Sequence, residues 1–443
     1  MENLKIIPSS LKGEVTIPPS KSISHRAIIA AGLADGVSQI ENIIFSEDIQ
    51  ATCEGMEALG VEIKREGRTL IIEGRKELNP LKREIHCRES GSTLRFLIPL
   101  ALLVNEPMTF LGEGRLKQRP LGPYLDIFQK QGIEYQYENE LPLTVKGLLN
   151  PGRFEIPGNI SSQFITGLLF ALPLLDGNSE IVIKGSLESR PYIDLTIDVL
   201  KHFSVQIENQ AHEVFHIKGF QKYRPAYYHV EGDYSQAAFW IVAGILGEEI
   251  VCKGLKRNSH QGDRVILDIV KEMGGSLSEE DGKVIVKPSK TKGVQIDASQ
   301  CPDIVPIFAV LAAFSEGKTE IVRAERLRIK ESDRLKAIAS ELNRLGAEVY
   351  EQEDGLIIFG KDHLRGGIVD SWNDHRIAMA LAIASIRCRE PVILTNSSAV
   401  KKSYPNFFED FKKLGGKLDE QHGYTHPISC FRRIPRKSDR DCD

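Results

Sequence analysis

The stretch GIVDSWNDHRIAMALAIASI, residues 367–386, places a short β-rich segment, a polar turn and an apolar helix in direct succession. The same succession occurs six times along the chain, at a spacing of about 70 residues. The other five copies are residues 14–34, 84–104, 153–175, 228–246 and 294–314. Because self-similarity at a fixed period is typical of repeat architectures, we expect the fold to be built from one supersecondary unit.

Each copy continues into an apolar strand and an amphipathic helix, as in ESDRLKAIASELNRLG, residues 331–346. Most copies then close with two short strands, as in AEVYEQEDGLIIFG, residues 347–360. The hydrophobic period switches between 2 and 3.6, so the unit is predicted to be βαβαββ. Three units in each of two domains is the simplest division, with a boundary near Tyr228 to Gly232, although periodicity alone also allows a continuous solenoid.

Composition limits the classes of protein to which the chain can belong. With 443 residues, 41% of them hydrophobic and 27% charged, the chain exceeds what one core usually serves, so two domains are expected. The net charge of -4 argues against a broad nucleic-acid surface. The longest apolar run, Phe164 to Leu175, is interrupted by Pro173 and is too short to span a bilayer.

The N-terminus and the cysteines also narrow the choice. The first 15 residues show no secretory signal pattern, so a cytoplasmic location is expected. Seven cysteines are scattered singly, without a CxxC motif or a Cys/His cluster at metal-ligand spacing. We therefore expect free thiols and no metal.

Polar and basic residues decorate the predicted N-termini of the apolar helices. A helix N-terminus presents unpaired backbone N–H groups and a partial positive charge, so it can hold a phosphate or carboxylate. Serine there can equally be a plain N-cap. Lys21, Arg26 and Arg376 oppose the helix dipole, which makes electrostatic sense mainly if an anion joins them. The residues at these starts are Lys21, Ser22, Arg26, Ser90, Gly91, Ser92, Arg95, Ser161, Ser162, Gln163, His375 and Arg376.

A second set of charged and polar residues lies where the amphipathic helices begin. Surface ion pairing is the usual explanation for such charges. Their recurrence at one place in the repeat instead favours convergence on a ligand with more than one phosphate and carboxylate. This set contains Arg115, Lys117, Arg119, Ser189, Arg190, Lys330, Glu331, Asp333, Arg334, Lys401 and Lys402.

Eight segments, in this order and spacing, resemble the 5-enolpyruvylshikimate-3-phosphate synthase family. They are PPSKSISHRA (18–27), ESGSTLRFLIP (89–99), LKQRPLGP (116–123), ISSQF (160–164), SRPYID (189–194), RIKESDRL (328–335), NDHRIAMA (373–380) and VKKSYPNFF (400–408). The similarity runs from about Leu4 to Glu420 and implies an α/β fold of two similar domains, each with three βαβαββ units about a pseudo-threefold axis. Residues 1–14 and 231–420 would form one discontinuous domain, and residues 15–230 the other. Residues 421–443 extend past the usual end of the family and are expected to be a disordered tail.

The resemblance also implies an activity. Members of the family transfer the enolpyruvyl group of phosphoenolpyruvate to the 5-hydroxyl of shikimate 3-phosphate by addition and elimination, in the shikimate pathway to chorismate and the aromatic amino acids. Carried over by position, the shikimate 3-phosphate contacts are Lys21, Ser22, Arg26, Ser161, Ser162, Gln163, Ser189, Asp303 and Lys330. The phosphoenolpyruvate contacts are Lys21, Gly91, Arg119, Gln163, Arg334, Arg376 and Lys402. No cofactor, metal, nucleic acid or membrane is expected, and the protein is expected to be a monomer.

The reaction needs a base at the substrate hydroxyl and an acid at the methylene carbon. Asp303 matches the family's proton acceptor at the hydroxyl, and Glu331 is the candidate proton carrier to the methylene carbon. Lys21 could protonate or stabilise the bridging oxygen, and the division of roles among Lys21, Glu331 and His375 stays open. Structural alternatives are that Asp303 caps a helix and that Glu331 is a solvated helix residue.

Two other functions are alternatives. The related transferase that acts on UDP-N-acetylglucosamine carries a Lys-Asn pair and a reactive cysteine, whereas this chain has Lys21-Ser22 and no cysteine in LGEGRLKQRP, residues 111–120. A non-catalytic protein that binds phosphorylated metabolites would need neither Asp303 nor Glu331. Many relatives have asparagine in the loop that reads Arg88-Glu89-Ser90 here. The sequence therefore makes no prediction, in either direction, about sensitivity to glyphosate.

Motion is expected from the distribution of charge over the two predicted domains. Both faces of the predicted cleft carry mostly positive groups, which favours their separation. Shikimate 3-phosphate would bind the closed form preferentially and shift the population towards it.

Overall fold

The computed structural model describes residues 3–280 and 282–420. The predicted tail, residues 421–443, lies outside the described residues. Before the first helix, the chain forms two short strands, β1 (Leu4–Ile7) and β2 (Gly13–Thr16). The later strands and helices form six successive units. In each unit, strands alternate with two α-helices, and one or two further strands follow the second helix.

The first three units contain the following elements. The first has α1 (Lys21–Gly32), β3 (Gly36–Glu41), α2 (Glu47–Ala58), β4 (Glu62–Glu66) and β5 (Thr69–Gly74). The second has β6 (Glu84–His86), α3 (Gly91–Ala101), β7 (Met108–Leu111), α4 (Gly122–Gln131), β8 (Glu134–Gln136) and β9 (Leu143–Lys146). The third has β10 (Arg153–Pro157), α5 (Ser162–Ala171), β11 (Ser179–Lys184), α6 (Arg190–His202), β12 (Ile207–Gln210) and β13 (Val214–Ile217).

The last three units repeat the order. The fourth has β14 (Tyr227–His229), α7 (Tyr234–Leu246), β15 (Ile250–Lys253), α8 (Ile266–Glu272), β16 (Ser276–Glu280) and β17 (Lys283–Lys287). The fifth has β18 (Gln295–Asp297), α9 (Val305–Ala313), β19 (Lys318–Val322), α10 (Arg334–Arg344), β20 (Glu348–Glu351) and β21 (Leu356–Phe359). The sixth has β22 (Gly367–Asp370), α11 (His375–Ala384), β23 (Val392–Thr395), α12 (Phe407–Lys413) and β24 (Lys417–Glu420).

The strands of the described residues form six four-stranded sheets with one topology. In the sheet β6-β7-β9-β8, for example, the first pair is parallel and the next two pairs are antiparallel. The other five sheets repeat this pattern of one parallel and two antiparallel pairs. The predicted α/β fold of βαβαββ units in two similar halves is confirmed.

Three strands pair with units that are distant in sequence. β2 lies parallel to β15, with Val15 opposite Cys252, whereas β14 lies parallel to β3, with Tyr228 opposite Ile40. The strand before the first helix of each half is therefore exchanged between the halves. β1 inserts between β23 and β24 and completes the sixth sheet. The first strand of the chain therefore lies in the same sheet as β24, the last strand of the described residues.

The buried apolar side chains form two clusters. One cluster contains residues from Ile23 to Val230, and the other contains residues from Leu4 to Ile17 together with those from Tyr234 to Leu414. The division into domains remains a prediction. Its first boundary, between residues 14 and 15, falls inside β2, whose strand pairing favours a crossing after Thr16.

The apolar helices lie inside these clusters. All nine residues of α9 are buried, and α7, α9 and α11 pack against one another. Their side chains are thus held in close packing, which fixes the positions of the helix N-termini. Among residues 3–280 and 282–420, no helix is both long and apolar enough to cross a membrane. The five cysteines of this part are buried and unpaired.

Candidate active site

A polar cleft lies between the two halves and is lined by residues from both. It brings together all but one of the catalytic and substrate-contact residues that the family resemblance implied. Those present are Lys21, Ser22, Arg26, Gly91, Arg119, Ser161, Ser162, Gln163, Ser189, Asp303, Lys330, Glu331, Arg334, His375 and Arg376. Lys402 does not line the cleft itself, because its ammonium group is bound to Glu89 and to the backbone of Asn373.

Helix N-termini position several of these side chains. The Ser161 hydroxyl accepts a hydrogen bond from the Gln163 N–H at 3.3 Å and so caps α5. Asp374 caps α11 in the same way and accepts from the Arg376 N–H at 2.9 Å. Ser161 is therefore an N-cap that also lines the cleft, so the capping and ligand interpretations do not exclude each other. Each cap stabilises the first turn of its helix, whose N-terminus lies at the cleft.

The first half contributes buried, hydrogen-bonded cations. The Arg26 guanidinium donates from Nε to Thr196 Oγ1 at 2.8 Å and from Nη1 to the Ser22 carbonyl at 2.7 Å. Burial lowers the pKa of Arg26 to about 10, so it stays charged at neutral pH. Lys21 pairs with Asp48 at 2.7 Å. These contacts hold two positive groups at the cleft wall without filling it.

Gly91 allows two arginines to approach the start of α3. A Cβ atom at this position would lie 2.6 Å from Arg119 Nη1 and 3.3 Å from Arg95 Nη1. Arg95 donates to Gln163 Oε1 at 2.7 Å, which orients the Gln163 amide so that its Nε2 donates to Ser92 at 3.0 Å. A side chain at residue 91 would therefore displace the guanidinium groups.

Asp303 is the centre of the second half of the site. Its carboxylate accepts hydrogen bonds from Arg334 Nη1 at 3.1 Å and from Arg376 Nη2 at 3.0 Å. Tyr192 of the first half donates its hydroxyl to the same group at 3.1 Å. Burial by itself would raise the pKa of Asp303, but the charges of Arg376, Lys330 and Arg334 outweigh burial and hold the pKa far below its usual range.

Glu331 reaches across the cleft. It binds Arg334 Nη2 at 2.6 Å on its own side and Arg119 Nη2 at 3.2 Å on the other. Burial acts to raise the pKa of Glu331, but Arg334 and Arg119 lower it well below the ordinary value. Glu331 is thus a partly buried, paired carboxylate rather than a solvated helix residue.

The arginines differ in how many donors remain for a ligand. Arg334 Nε is committed to the fully buried Asp374 at 2.8 Å. By contrast, Arg376 Nε and Nη1 and Arg119 Nε are buried and have no hydrogen-bond partner among the described residues. Buried donors of this kind cost free energy unless they are satisfied. Arg119 and Arg376 are therefore the best-prepared groups for an incoming anion.

His375 is a buried imidazole in the cleft wall. Neither ring nitrogen has a hydrogen-bond partner in the described part of the chain. Burial and the charge of Lys21 lower the pKa of His375 to about 3. The ring is therefore neutral near pH 7 and does not add to the positive charge of the site.

Carboxylates neutralise much of the positive charge that the sequence predicted at this cleft. Arg119 faces Glu331, Lys402 faces Glu89, and Arg326 faces Glu188 at 2.6 Å, each pair joining the two halves. The repulsion expected between two positive faces is accordingly weaker than predicted. Sequence reasoning counted the cations and gave too little weight to their carboxylate partners.

Not every residue of the second predicted set faces the cleft. Arg115 donates to the Arg328 carbonyl at 3.4 Å, and Asp333 caps α10 and binds Arg328 at 3.0 Å. Ion pairing, the usual explanation, holds for Asp333, whereas Arg115 contacts a backbone carbonyl. Neither Lys117, Arg190 nor Lys401 lines the cleft.

Arg326 was missed in the sequence. Its Nη2 donates to Ser189 Oγ at 2.7 Å and to the Ser299 carbonyl at 2.9 Å, and its side chain lines the cleft. It lies in the short turn Glu325–Ile329 that precedes Lys330. The equivalent turn in the second unit, Gly114–Gln118, precedes Arg119, and this correspondence is the signal that could have identified Arg326.

Comparison with known proteins agrees with this geometry. The family model described as EPSP synthase (3-phosphoshikimate 1-carboxyvinyltransferase) matches residues 6–411. A 3-phosphoshikimate 1-carboxyvinyltransferase of Clostridium novyi is 58% identical over 430 residues, covering 95% of this chain and 99% of that protein. The enzyme of the same name from Clostridium kluyveri is 55% identical over 421 residues, with 95% and 99% coverage.

Solved structures show the same architecture. EPSP synthase from Acinetobacter baumannii superposes with a TM-score of 0.80 at 25% identity, over 95% of this chain and all of that one (100%). The enolpyruvyl transferase NikO from Streptomyces tendae, at 19% identity, shares the fold with a TM-score of 0.75, over 94% of this chain and 98% of that one. From the family match and the two close relatives, the chain belongs to the EPSP synthase (3-phosphoshikimate 1-carboxyvinyltransferase) family.

Proposed function

We propose that the protein transfers the enolpyruvyl group of phosphoenolpyruvate to the 5-hydroxyl of shikimate 3-phosphate, releasing phosphate, in the shikimate pathway. Family membership supports this assignment. The observation that carries it is the convergence of Arg119, Arg334 and Arg376 on two partly buried carboxylates, Asp303 and Glu331. We place the enzyme in the cytoplasm and expect it to act as a monomer on these two small molecules.

The two substrates occupy adjacent parts of the cleft. Shikimate 3-phosphate lies against the starts of α1 and α5, where Lys21, Arg26 and Ser161 serve its phosphate and carboxylate, and it offers hydroxyls to Asp303 and Lys330. Arg326 is a positioning residue there, because it holds Ser189 through a hydrogen bond of 2.7 Å. Phosphoenolpyruvate lies near Gly91, where planar guanidinium groups grip its phosphate and carboxylate through paired hydrogen bonds.

Binding of phosphoenolpyruvate changes the state of the two carboxyls. Its phosphate and carboxylate compete with Glu331 for Arg119 and Arg334, and with Asp303 for Arg376. As these cations turn to the ligand, the charges that depress the pKa values of Asp303 and Glu331 are withdrawn. Both carboxyls then become better proton carriers at the moment when the substrate is present.

Proton transfers accompany each bond change. The 5-hydroxyl oxygen forms a bond to C2 of phosphoenolpyruvate and gives its proton to Asp303, while C3 takes a proton from Glu331. The tetrahedral adduct then loses a proton from C3 to Glu331, and the bond between C2 and the phosphate oxygen breaks. The leaving phosphate, which Lys21 stabilises, takes up the proton that Asp303 received, so both carboxyls return to their starting states. His375, which is neutral and uncharged in the site, shapes the wall near Glu331.

The acceptor tests the proposal. Purified protein is incubated with phosphoenolpyruvate and either shikimate 3-phosphate or UDP-N-acetylglucosamine, and released phosphate is measured. We expect release with shikimate 3-phosphate alone. Release only with the sugar nucleotide would refute the assignment, and tight binding of both substrates without any release would favour a non-catalytic binding protein.

Arg376→Ala is expected to weaken phosphoenolpyruvate use selectively. Arg376 lines the cleft and makes one hydrogen bond through its side chain, to Asp303, while its Nε and Nη1 are buried without a hydrogen-bond partner among the described residues. Loss of a charge-assisted contact worth about 1.5–3 kcal/mol raises the KM for phosphoenolpyruvate by about 10- to 100-fold. The KM for shikimate 3-phosphate should stay within about threefold.

Steady-state kinetics with each substrate varied in turn check this. Arg328→Ala is the matched control, because Arg328 binds Asp333 and Glu351 outside the cleft. An equal loss for both substrates, or none for phosphoenolpyruvate, would contradict the assignment of Arg376.

Lys330 makes shikimate 3-phosphate binding dependent on pH. Burial lowers the pKa of Lys330 to about 8, although the nearby Asp303 acts in the opposite direction. The cation is present below this pH and is lost above it, so binding in alkaline solution requires uptake of a proton. We expect the KM for shikimate 3-phosphate to rise above pH 8, by at most about tenfold per pH unit.

Lys330→Arg separates this effect from general alkaline inactivation. Arginine stays charged to much higher pH, so the rise in KM should move beyond the tested range. A KM for shikimate 3-phosphate that rises at the same pH in both proteins would show that another group titrates.

A further inference from the structure

Glu89 crosses the cleft to a cation of the opposite half. Its Oε1 lies 2.9 Å from Lys402 Nζ and accepts a hydrogen bond from Asn373 Nδ2 at 3.0 Å. Lys402 Nζ also donates to the Asn373 carbonyl at 2.6 Å. The Lys402 side chain is 6% exposed and that of Glu89 is 19% exposed. The pair is therefore largely desolvated, unlike an ordinary surface ion pair.

The surrounding backbone fixes the Glu89 carboxylate in place. Glu89 directly precedes Ser90, whose hydroxyl caps α3. A Cβ atom on Gly114, where the backbone has a φ of +51°, would lie 2.7 Å from the Glu89 carboxyl carbon. Gly114 begins the short turn that leads to Arg119. The Glu89 carboxylate thus packs between Lys402 and the segment that leads to Arg119, one of the arginines proposed to bind phosphoenolpyruvate.

The neighbouring Arg88 does not neutralise Glu89. Arg88 Nη2 instead binds Glu54 on α2 at 2.8 Å. Among the described residues, the Glu89 carboxylate accordingly forms its ion pair with Lys402 and accepts its hydrogen bond from Asn373. Removing the Glu89 charge would leave Lys402 with a carbonyl partner and no counter-ion from this contact.

The other cations of the phosphoenolpyruvate site are held by carboxylates with assigned roles. Arg119 is held by Glu331 and Arg376 by Asp303, and both carboxylates carry protons in the proposed reaction. Glu89 has no such role. It nevertheless occupies Lys402 as an anionic ligand would, which makes it a built-in competitor for the group.

We propose that Glu89 is a specificity-determining residue, an internal counter-ion that Lys402 must release before an anionic group of phosphoenolpyruvate can bind. This inference rests on the proposed function. Exchange of one carboxylate for another gains little, because the charge at Lys402 stays the same. A phosphate dianion carries about twice the charge and wins the exchange. Glu89 thereby lowers affinity for simple carboxylates more than for phosphorylated anions.

Glu89→Gln tests this with little change in shape. With shikimate 3-phosphate saturating, we expect the KM for phosphoenolpyruvate to fall by about 3- to 10-fold and kcat to stay within about twofold. The inhibition constant of inorganic phosphate should fall by a similar factor. The inhibition constant of pyruvate should fall by a larger factor, so that discrimination between the two anions narrows.

Two further variants help to interpret the result of Glu89→Gln. Glu54→Gln breaks the pair with Arg88 beside the same loop and should leave every constant at the parent value. Glu89→Ala should reproduce the fall in the phosphoenolpyruvate KM without a glutamine amide that could bind Lys402. Thermal unfolding of each variant identifies one that is poorly folded.

The outcome separates the inference from the proposed function. An unchanged or raised KM for phosphoenolpyruvate in both folded Glu89 variants would overturn the role of Glu89. A fall in kcat without a fall in KM would do the same. If instead the parent protein releases no phosphate with shikimate 3-phosphate, it is the proposed function that is refuted.

Discussion

Replacing Asp303 with asparagine is expected to lower kcat by about 10²- to 10⁴-fold, the usual cost of losing a general base. The amide keeps one oxygen acceptor, which can serve Arg334 or Arg376 but not both, and it cannot take the hydroxyl proton. Because the carboxylate no longer competes for Arg376, the KM for phosphoenolpyruvate should not rise. A KM effect alone would indicate a binding role instead.

The control for this variant is Asp297→Asn. Asp297 pairs with Arg323 outside the cleft, so its replacement should leave turnover unchanged. Activity of the Asp303 variant within a few-fold of the parent would remove Asp303 from the mechanism. Thermal unfolding checks that the loss is not one of folding, since Asp303 also compensates the buried Arg334 and Arg376.

Replacing Glu331 with glutamine is expected to reduce kcat by a similar factor of about 10²- to 10⁴-fold. The side chain would still span the cleft between Arg119 and Arg334, but it could not deliver a proton to C3. Exchange of deuterium from D₂O into the methylene group of phosphoenolpyruvate reports this step directly. The parent should show exchange in the presence of shikimate 3-phosphate, and the variant should lose exchange together with turnover.

Glu351→Gln is a suitable comparison, because Glu351 binds Arg328 away from the cleft. It should exchange deuterium at the parent rate. Undiminished exchange in the Glu331 variant would transfer the acid role to Lys21 or His375. Of these, Lys21 would be the stronger candidate, because His375 is neutral near pH 7.

The repeat could be predicted because it depends on local patterns. Apolar helices such as α9 and caps such as Ser161 are determined by neighbouring residues, and the structure has them where the pattern indicated. The exchange of β2 and β14 between the halves is different. Each strand has the same local pattern whichever sheet it joins, and only the pairing of Val15 with Cys252 and of Tyr228 with Ile40 distinguishes the two.

The cations of the site could be predicted from the sequence, but most of the residues that form ion pairs or hydrogen bonds with them could not. Lys21, Arg26 and Arg376 stand out because a positive side chain near a helix start needs an anion. Arg326 is not near the start of one of the apolar helices and Tyr192 is uncharged, so this argument finds neither; they act through contacts with distant residues, Ser189 and Asp303. The cross-cleft pairing of Glu89 with Lys402 joins residues more than 300 positions apart and could not be read from local sequence.

Enolpyruvyl transfer differs from phosphoryl transfer in which bond of phosphoenolpyruvate breaks, and this gives the most direct measurement. The protein is incubated with shikimate 3-phosphate and phosphoenolpyruvate carrying ¹⁸O in the oxygen that bridges C2 and phosphorus, and the products are analysed by mass spectrometry. Cleavage between C2 and oxygen places the label in the released phosphate and adds the enolpyruvyl group to shikimate 3-phosphate. Label retained in pyruvate, or a shikimate product that has gained a phosphoryl group, would contradict the proposed function.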